Sequence, residues 1–227
     1  MNYKNEQYKT LLDKGNAIAE SGNPEGAIEF FQQARELLPE RSIPYFVIAN
    51  ALADLDRHGE AIGFYNKAIE ILEKPYYLYN KANSLVSLNR LDEAIECYGK
   101  ATELDPAFGS AHFNNANALK EQGRFDEALA AYDQAIKDSP DHSGAHYNKA
   151  KLLYNLEFDN EAIESFEKAI LLDPTNGDIH YDLGIVFYVQ GQLEQAVHCF
   201  GKSIELNPTD LDARYNHGVA LTKLVRK

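Results

Sequence analysis

Three histidines, His112, His146 and His180, stand 34 residues apart. Imidazole is a common metal ligand, so equal spacing raises the prospect of ligands brought together from equivalent places. The cysteines Cys97 and Cys199 are a second candidate, for a disulfide or a soft-metal site. A third set is larger. Asparagines and aromatic residues recur together in Phe46/Asn50, Tyr79/Asn80/Asn83, Phe113/Asn114/Asn117 and Tyr147/Asn148, then at Tyr181 and at Tyr215/Asn216. Carboxamides carry an acceptor and two donors each, and rings offer rigid contact area, which together suit recognition of a polypeptide. No glycine-rich phosphate loop, Gly-x-Ser-x-Gly elbow or His-Glu-x-x-His pair occurs, so these motifs suggest no catalytic chemistry.

The chain around these residues has 227 positions, of which 44% are hydrophobic and 25% charged, as in an ordinary folded protein. Its 22 Lys+Arg against 35 Asp+Glu leave a net charge of −13 at pH 7. Such acidity speaks against nucleic acid, whose binding rests on neutralised phosphates. Nothing approaches the ~18 apolar residues of a membrane span, and the opening segment from Met1 to Tyr8 lacks the apolar core of a secretory signal. The expectation is a cytoplasmic protein without membrane insertion.

The 34-residue step is not confined to histidine. Pro106, Pro140, Pro174 and Pro208 keep it, as do Ala94, Ala128, Ala162 and Ala196, and Ala101, Ala135, Ala169 and Ser203. Ala61 and Ala27 carry the series backwards with one step of 33. The chain therefore divides into units 8–41, 42–74, 75–108, 109–142, 143–176 and 177–210, followed by a half-unit 211–227. Within a unit, apolar residues spaced three and four apart predict two helices. In 109–142 the first closes at Gly123, Asp126-Glu127 place negative charge at the start of the second, and Pro140 stops it.

Position eight of every unit is small: Gly15, Ala49, Ala82, Ala116, Ala150, Gly184 and Gly218. Position 24 is a ring: Phe31, Tyr65, Tyr98, Tyr132, Phe166 and Phe200. Small against large lets two helices interlock at interior density. A small residue at eight, Ala at 20, a ring at 24, Ala at 27 and Pro at 32 together resemble the tetratricopeptide repeat. The resemblance covers residues 8–227. It implies an all-α solenoid, a right-handed superhelix of antiparallel helix pairs forming a single array over 1–227, with 211–227 as a solvated capping helix ending in Lys223, Arg226 and Lys227. Two departures stand out. The unit 42–74 lacks its closing proline, so Pro75 is expected to open the next helix. Glu157 occupies a turn position held elsewhere by Gly22, Asp56, Asn89, Gly123 and Gly191, which leaves either a strained turn or one of different construction.

The repeat changes the reading of the candidate residues. The histidines fall at position 4 of successive units, on helices ~10 Å apart, too far for one ion ~2 Å from each nitrogen. They are expected as half-buried residues at the packing seam, with no metal or cofactor. The cysteines are three units apart, beyond the ~7 Å reach of a disulfide, and are expected as free thiols. With the repeats taking up the chain, no enzyme is expected.

In the family, first helices line a concave groove, and positions 2, 5, 6, 9, 12 and 13 share that side by helical spacing. The resemblance therefore puts a stripe of rings in the groove (Phe46, Tyr79, Phe113, Tyr147, Tyr181, Tyr215). Beside it run carboxamides at position 6 (Asn80, Asn114, Asn148, Asn216) and position 9 (Asn50, Asn83, Asn117), with Lys120 and Lys151 near the centre. Asparagine rows of this kind resemble those of tetratricopeptide proteins that hold extended peptides, so the expected function is a protein-interaction scaffold holding an extended segment or a helix. A second reading has these asparagines bonding neighbouring units. A third has the array self-associating through its ends or groove. The carboxylate clamp of cochaperone relatives needs a lysine at position 5, which is absent here, so binding of a chaperone tail is not expected.

Overall fold

The computed structural model describes residues 2–226, with side chains from residue 3 onward. The expectation for Lys227 at the end of the cap lies outside the described residues. Thirteen helices account for nearly all of them: α1 (Asn2–Glu20), α2 (Pro24–Leu37), α3 (Ser42–Asp54), α4 (His58–Ile71), α5 (Pro75–Ser87), α6 (Leu91–Leu104), α7 (Gly109–Glu121), α8 (Phe125–Asp138), α9 (Ser143–Asn155), α10 (Asp159–Leu172), α11 (Gly177–Val189), α12 (Leu193–Leu206) and α13 (Leu211–Val225). No strand occurs among the described residues. Pro75 sits in the first turn of α5, as expected where the preceding unit is one residue short.

The helices form two compact units, Met1–Gly123 and Arg124–Lys227. In the first, α1/α2, α3/α4 and α5/α6 are hairpins, and each second helix also contacts the first helix of the next pair, ending with α7. The first helices lie side by side there, α3 against α5 and α5 against α7. In the second unit α8 packs on α9, α9/α10 and α11/α12 are hairpins, α9 neighbours α11, and α13 closes on α12.

Within a hairpin the small residue and the ring meet. Gly15 lies directly under the Phe31 ring, and a methyl group on Gly184 would come within 2.8 Å of Phe200. Ala49 and Tyr65 share one core cluster, Ala82 and Tyr98 a second, Ala150 and Phe166 a third. These alanines are completely buried and each ring is at most 2% exposed. Fully burying such a ring stabilises by roughly 1.5–3 kcal/mol relative to leaving it in water.

One left-handed residue follows the first helix of each repeat: Gly22, Asp56, Asn89, Gly123, Glu157 and Gly191 all have φ between 56° and 86°. The residue after it reaches back five positions to close the helix, as in Arg57 N to Leu52 O (2.9 Å), Arg90 N to Leu85 O (2.9 Å) and Gln192 N to Phe187 O (2.9 Å). Phe158 N makes the same bond to Leu153 O at 2.9 Å. Glu157 therefore builds the ordinary turn at φ 65° and carries the strain of a β-carbon in the left-handed region. Glu157→Gly should relieve about 1–2 kcal/mol of that strain, partly offset by ~0.4–1 kcal/mol of extra unfolded-chain entropy. The expected outcome is a melting temperature higher by a few degrees, read by circular dichroism. A lower value would mean that the Glu157 side chain holds the turn in some other way.

Candidate functional site

The residues singled out by spacing lie on first helices, and hydrogen bonds tie most of them together. In the first unit, Asn50 of α3 accepts from the Tyr65 hydroxyl of α4 at 2.7 Å and from Asn80 Nδ2 of α5 at 3.3 Å. One repeat further, Asn83 accepts from the Tyr98 hydroxyl at 2.6 Å and from Asn114 Nδ2 at 3.0 Å, and Asn114 also donates to the Tyr79 hydroxyl at 3.1 Å. The side-chain carbonyls of Asn50 and Asn83 thus each accept two hydrogen bonds within the protein. Among the described residues, the Nδ2 groups of Asn50 and Asn83 have no acceptor in these bonds. Both side chains line a polar cleft of about 420 Å³ with Asp54, His58, Asn80, Ser84 and Ser87.

The rings at position 5 are less free than their spacing suggested. Phe46 lies 6.0 Å from Tyr65 and 4.5 Å from Tyr77 between ring centres, and Tyr79 lies 5.9 Å from Tyr98 and 5.0 Å from Phe108. In the second unit Tyr147 meets Phe166 at 6.1 Å and Tyr181 meets Phe200 at 5.8 Å. All four are half-buried, with an edge in solvent. Tyr215 of α13 is different, at 72% exposed. Phe113, Asn117 and Lys120 of α7 are half-buried, as is Asn148 of α9.

In the second unit a carboxylate takes the place of the position-6 asparagine. The Tyr147 hydroxyl donates to Asp182 at 2.8 Å, and Lys151 pairs with the same carboxylate at 3.3 Å while its ammonium sits 5.1 Å from the centre of the Tyr147 ring. Asn216 returns to the asparagine pattern, donating to the Tyr181 hydroxyl at 2.9 Å. Lys149, at the flanking position 7, forms an ion pair with Asp133.

The histidines clamp turns. His112 Nε2 lies 3.2 Å from Pro106 O, His146 Nε2 lies 3.2 Å from Pro140 O, and His180 bonds Pro174 in the same manner. The Tyr45 hydroxyl does so to Pro39 O at 3.2 Å. Burial lowers the His180 pKa, and the bond to Pro174 opposes the shift. Among the described residues, no three of His, Cys, Asp and Glu gather as metal ligands would. Cys97 and Cys199 are free and buried, and burial pushes the Cys199 thiol up to about 11.

The position-24 tyrosines of the first unit reach the candidate site although spacing placed them in the core. Their hydroxyls set the angle of the position-9 carboxamides. A sequence signal existed, since Asn50, Asn83 and Asn117 share units with Tyr65, Tyr98 and Tyr132, whereas Lys151 and Ile185 share theirs with Phe166 and Phe200. Only Asn16 with Phe31 departs from the correlation.

A profile described as Tetratricopeptide repeat matches residues 11–74 and 113–179, more than half of the chain. The chain belongs to the tetratricopeptide repeat family. Further profiles of the same repeat match 82–123 and 177–210. No curated protein sequence matches significantly. Solved structures of similar fold include pilF of Pseudomonas aeruginosa (18% identity, 93% of this chain and 97% of that one, TM-score 0.78). They also include YrrB, described as a tetratricopeptide repeat protein with an unusual peptide-binding site (24%, 82% and 96%, TM-score 0.71). A third is MamA of Desulfovibrio magneticus RS-1 (21%, 75% and 97%, TM-score 0.69). At these identities the likeness is one of fold. The tetratricopeptide fold is that of a protein-interaction scaffold, and no helix among the described residues is long and apolar enough to cross a membrane.

The buried phenols make a test of the carboxamide geometry. Burial, reinforced at Tyr65 by the Asp54 charge, holds Tyr65 and Tyr98 well above the usual phenol range. Their neutral form is favoured by folding, so their contribution to stability is complete below the ordinary value near ~10 and is lost as pH climbs through the raised values. Stability should fall above about pH 10, with part of the tyrosinate absorbance of the 14 tyrosines appearing only as helicity is lost. Titration of every tyrosine together in the folded protein would contradict the burial of these hydroxyls.

Proposed function

We propose that the protein is a scaffold that holds an extended segment of a partner protein on the first-helix faces of its repeats. Its contacts would be the side chains at positions 5, 6 and 9. In the first unit these are Phe46, Asn50, Tyr79, Asn80, Asn83, Phe113, Asn114 and Asn117 with Lys120. In the second they are Tyr147, Asn148, Lys151, Tyr181, Tyr215 and Asn216. The observation that carries the reading is the pair of oriented carboxamides in the first-unit cleft. With each oxygen occupied by a tyrosine hydroxyl and a neighbouring asparagine, the Nδ2–H bonds of Asn50 and Asn83 remain as donors in a polar cleft. Fixed donors spaced along a helix row match the carbonyls of an extended backbone without requiring particular side chains. Preorganisation by Tyr65 and Tyr98 removes the cost of ordering those amides at the moment of binding. The YrrB structure, described with a peptide-binding site, is consistent with this use of the fold.

The test separates binding from folding. Random dodecapeptides displayed on phage are selected on the full chain, and an enriched peptide is synthesised and titrated by calorimetry. Asn80→Ala with Ser87→Ala removes two polar groups lining the cleft and keeps the Tyr–Asn pairs. Capture should weaken at least ~10-fold, a loss of about 1.4 kcal/mol, while melting stays within a few degrees. Unchanged capture with the same melting curve would place the binding surface elsewhere.

Asn83→Ala should behave differently. It leaves the buried Tyr98 hydroxyl without its acceptor and takes one of the two acceptors of Asn114 Nδ2, and is expected to cost about 1–3 kcal/mol of stability. If chemical denaturation of Asn83→Ala matched the parent, the Tyr98–Asn83 bond would have no structural weight.

A further inference from the structure

In the second unit, two successive grooves are built from the same repeat positions. One is lined by α8, α9 and α10 and encloses about 550 Å³, and the next is lined by α10, α11 and α12 and encloses about 500 Å³. Position 4 of the later repeat is histidine in both grooves, and position 28 of the earlier one is isoleucine in both. Positions 25 and 7 differ. In the first groove they are Asp133 and Lys149, which form an ion pair, with the lysine side chain 23% exposed. In the second they are Glu167 and Leu183. The carboxylate is kept and its cation is gone. Position 23 changes in the same direction, from Ser165 to Cys199.

These exchanges leave an apolar floor beneath an acidic rim. Leu183, Phe187 and Cys199 are buried, whereas Glu167 of α10 and Glu194 of α12 stand exposed. Neither lysine nor arginine lines the second groove. Lys168 lines the first groove instead, and Lys202, one turn beyond His198, gives its ammonium to Glu205 at 2.6 Å. Among the described residues, Glu167 has neither a hydrogen bond nor an ion pair. Its field nevertheless reaches the floor, since burial, with the Glu167 charge adding to it, raises the Cys199 thiol. The walls and floor belong to the complete repeats 143–176 and 177–210. The groove before it is open in the same way, with chain on either side, so neither opening is owed to an end of the chain.

We infer that the groove between α10 and α12 is a docking site for a lysine-bearing segment of a partner protein, whose ammonium takes the place of the cation that Lys149 supplies one repeat earlier. The first groove specifies the chemistry: an aliphatic stem covered by its surroundings, with a charge at its tip set against position 25. In the second groove the partner's stem lies over Leu183 and Cys199 and its ammonium pairs with Glu167. A cavity of this size holds more than one side chain, so an apolar neighbour of the lysine fills the part beside Phe187. Apolar burial supplies the attachment, and the two carboxylates supply orientation and salt dependence. This site is separate from the carboxamide cleft of the first unit and does not rest on it.

The probe is a phage library of heptapeptides with a fixed central lysine, depleted on the Glu167→Gln protein and then selected on the full chain. An enriched peptide is synthesised and titrated by calorimetry. Apolar residues beside the lysine are expected, with saturable binding that weakens as salt rises. Norleucine in place of the lysine, or Glu167→Gln in the protein, should each weaken binding about 5-fold, the upper end for an exposed ion pair. Glu167→Gln should leave melting unchanged, because that side chain is exposed and bonds nothing in the fold. Leu183→Lys restores an internal cation and should abolish binding. Circular dichroism checks that this variant folds, and where it does not, Glu167→Gln decides alone. Failure to enrich a peptide, or binding indifferent to Glu167→Gln, overturns the inference. So does binding lost in Asn80→Ala with Ser87→Ala but kept in Glu167→Gln, which would assign the peptide to the first-unit cleft and leave that reading standing. Dansylcadaverine bound in a Glu167-dependent manner, with no peptide bound, overturns it in favour of a free amine.

Discussion

The contact of a very small residue with a large ring between two helices is the constraint from which the rest follows. A helix pair can approach to that distance only where one side lacks a long side chain, and burying a ring there is favourable only if the small residue faces it. Gly15 beneath Phe31, Gly184 beneath Phe200 and the fully buried Ala49, Ala82 and Ala150 satisfy both conditions at once. Because the hairpin is closed by this seam, the intervening turn must be tight, and a left-handed residue is required whatever its type. Geometry then outranks preference: Asp56, Asn89 and even Glu157 adopt the conformation that glycine takes at Gly22, Gly123 and Gly191.

The same seam reaches the first-helix face on which the proposed site lies. A tyrosine used as the large ring carries its hydroxyl through the hairpin to the first helix, where it meets the carboxamide at position 9. Packing and the proposed recognition would thereby be linked in one side chain, so the two readings of the asparagine rows do not exclude each other. An asparagine oxygen with two lone pairs can bond the neighbouring repeat and its own hairpin, and the amide still has hydrogens to give.

How much of this could be read in the sequence varies with the kind of interaction. Helix pairing, the Pro75 start and the small–large seam were legible because they rest on spacing, which survives in one dimension. The turn at Glu157 was not, since both strained and rebuilt backbones fit the residue type and the choice belongs to the surrounding hydrogen bonds. The ring stripe was legible as a row on one side of the helices, but its half-burial against second-helix rings depends on the distance between helices. Lys149 needed Asp133 from the preceding helix, a pairing no local pattern specifies. The histidine-to-proline bonds were latent in the sequence as a fixed separation of six residues in His112, His146 and His180.

One substitution divides the two units chemically. An asparagine at position 6, as Asn114, donates to the tyrosine of the preceding repeat and stays neutral. Asp182 at the equivalent place can only accept, so the tyrosine becomes the donor and a charge is left over. Lys151 answers that charge from position 9, where an asparagine would otherwise stand, and the pair changes together. The Tyr147 phenol is pushed up by burial and further by the Asp182 carboxylate. The Asn50 and Asn83 amides of the first unit are therefore neutral donors whose strength changes little with ionic strength, while the corresponding face of the second unit presents a half-exposed ion pair that salt weakens. Two faces built from the same repeat thus differ in the chemistry at positions 6 and 9, and the difference comes from Asp182 and the lysine that balances it.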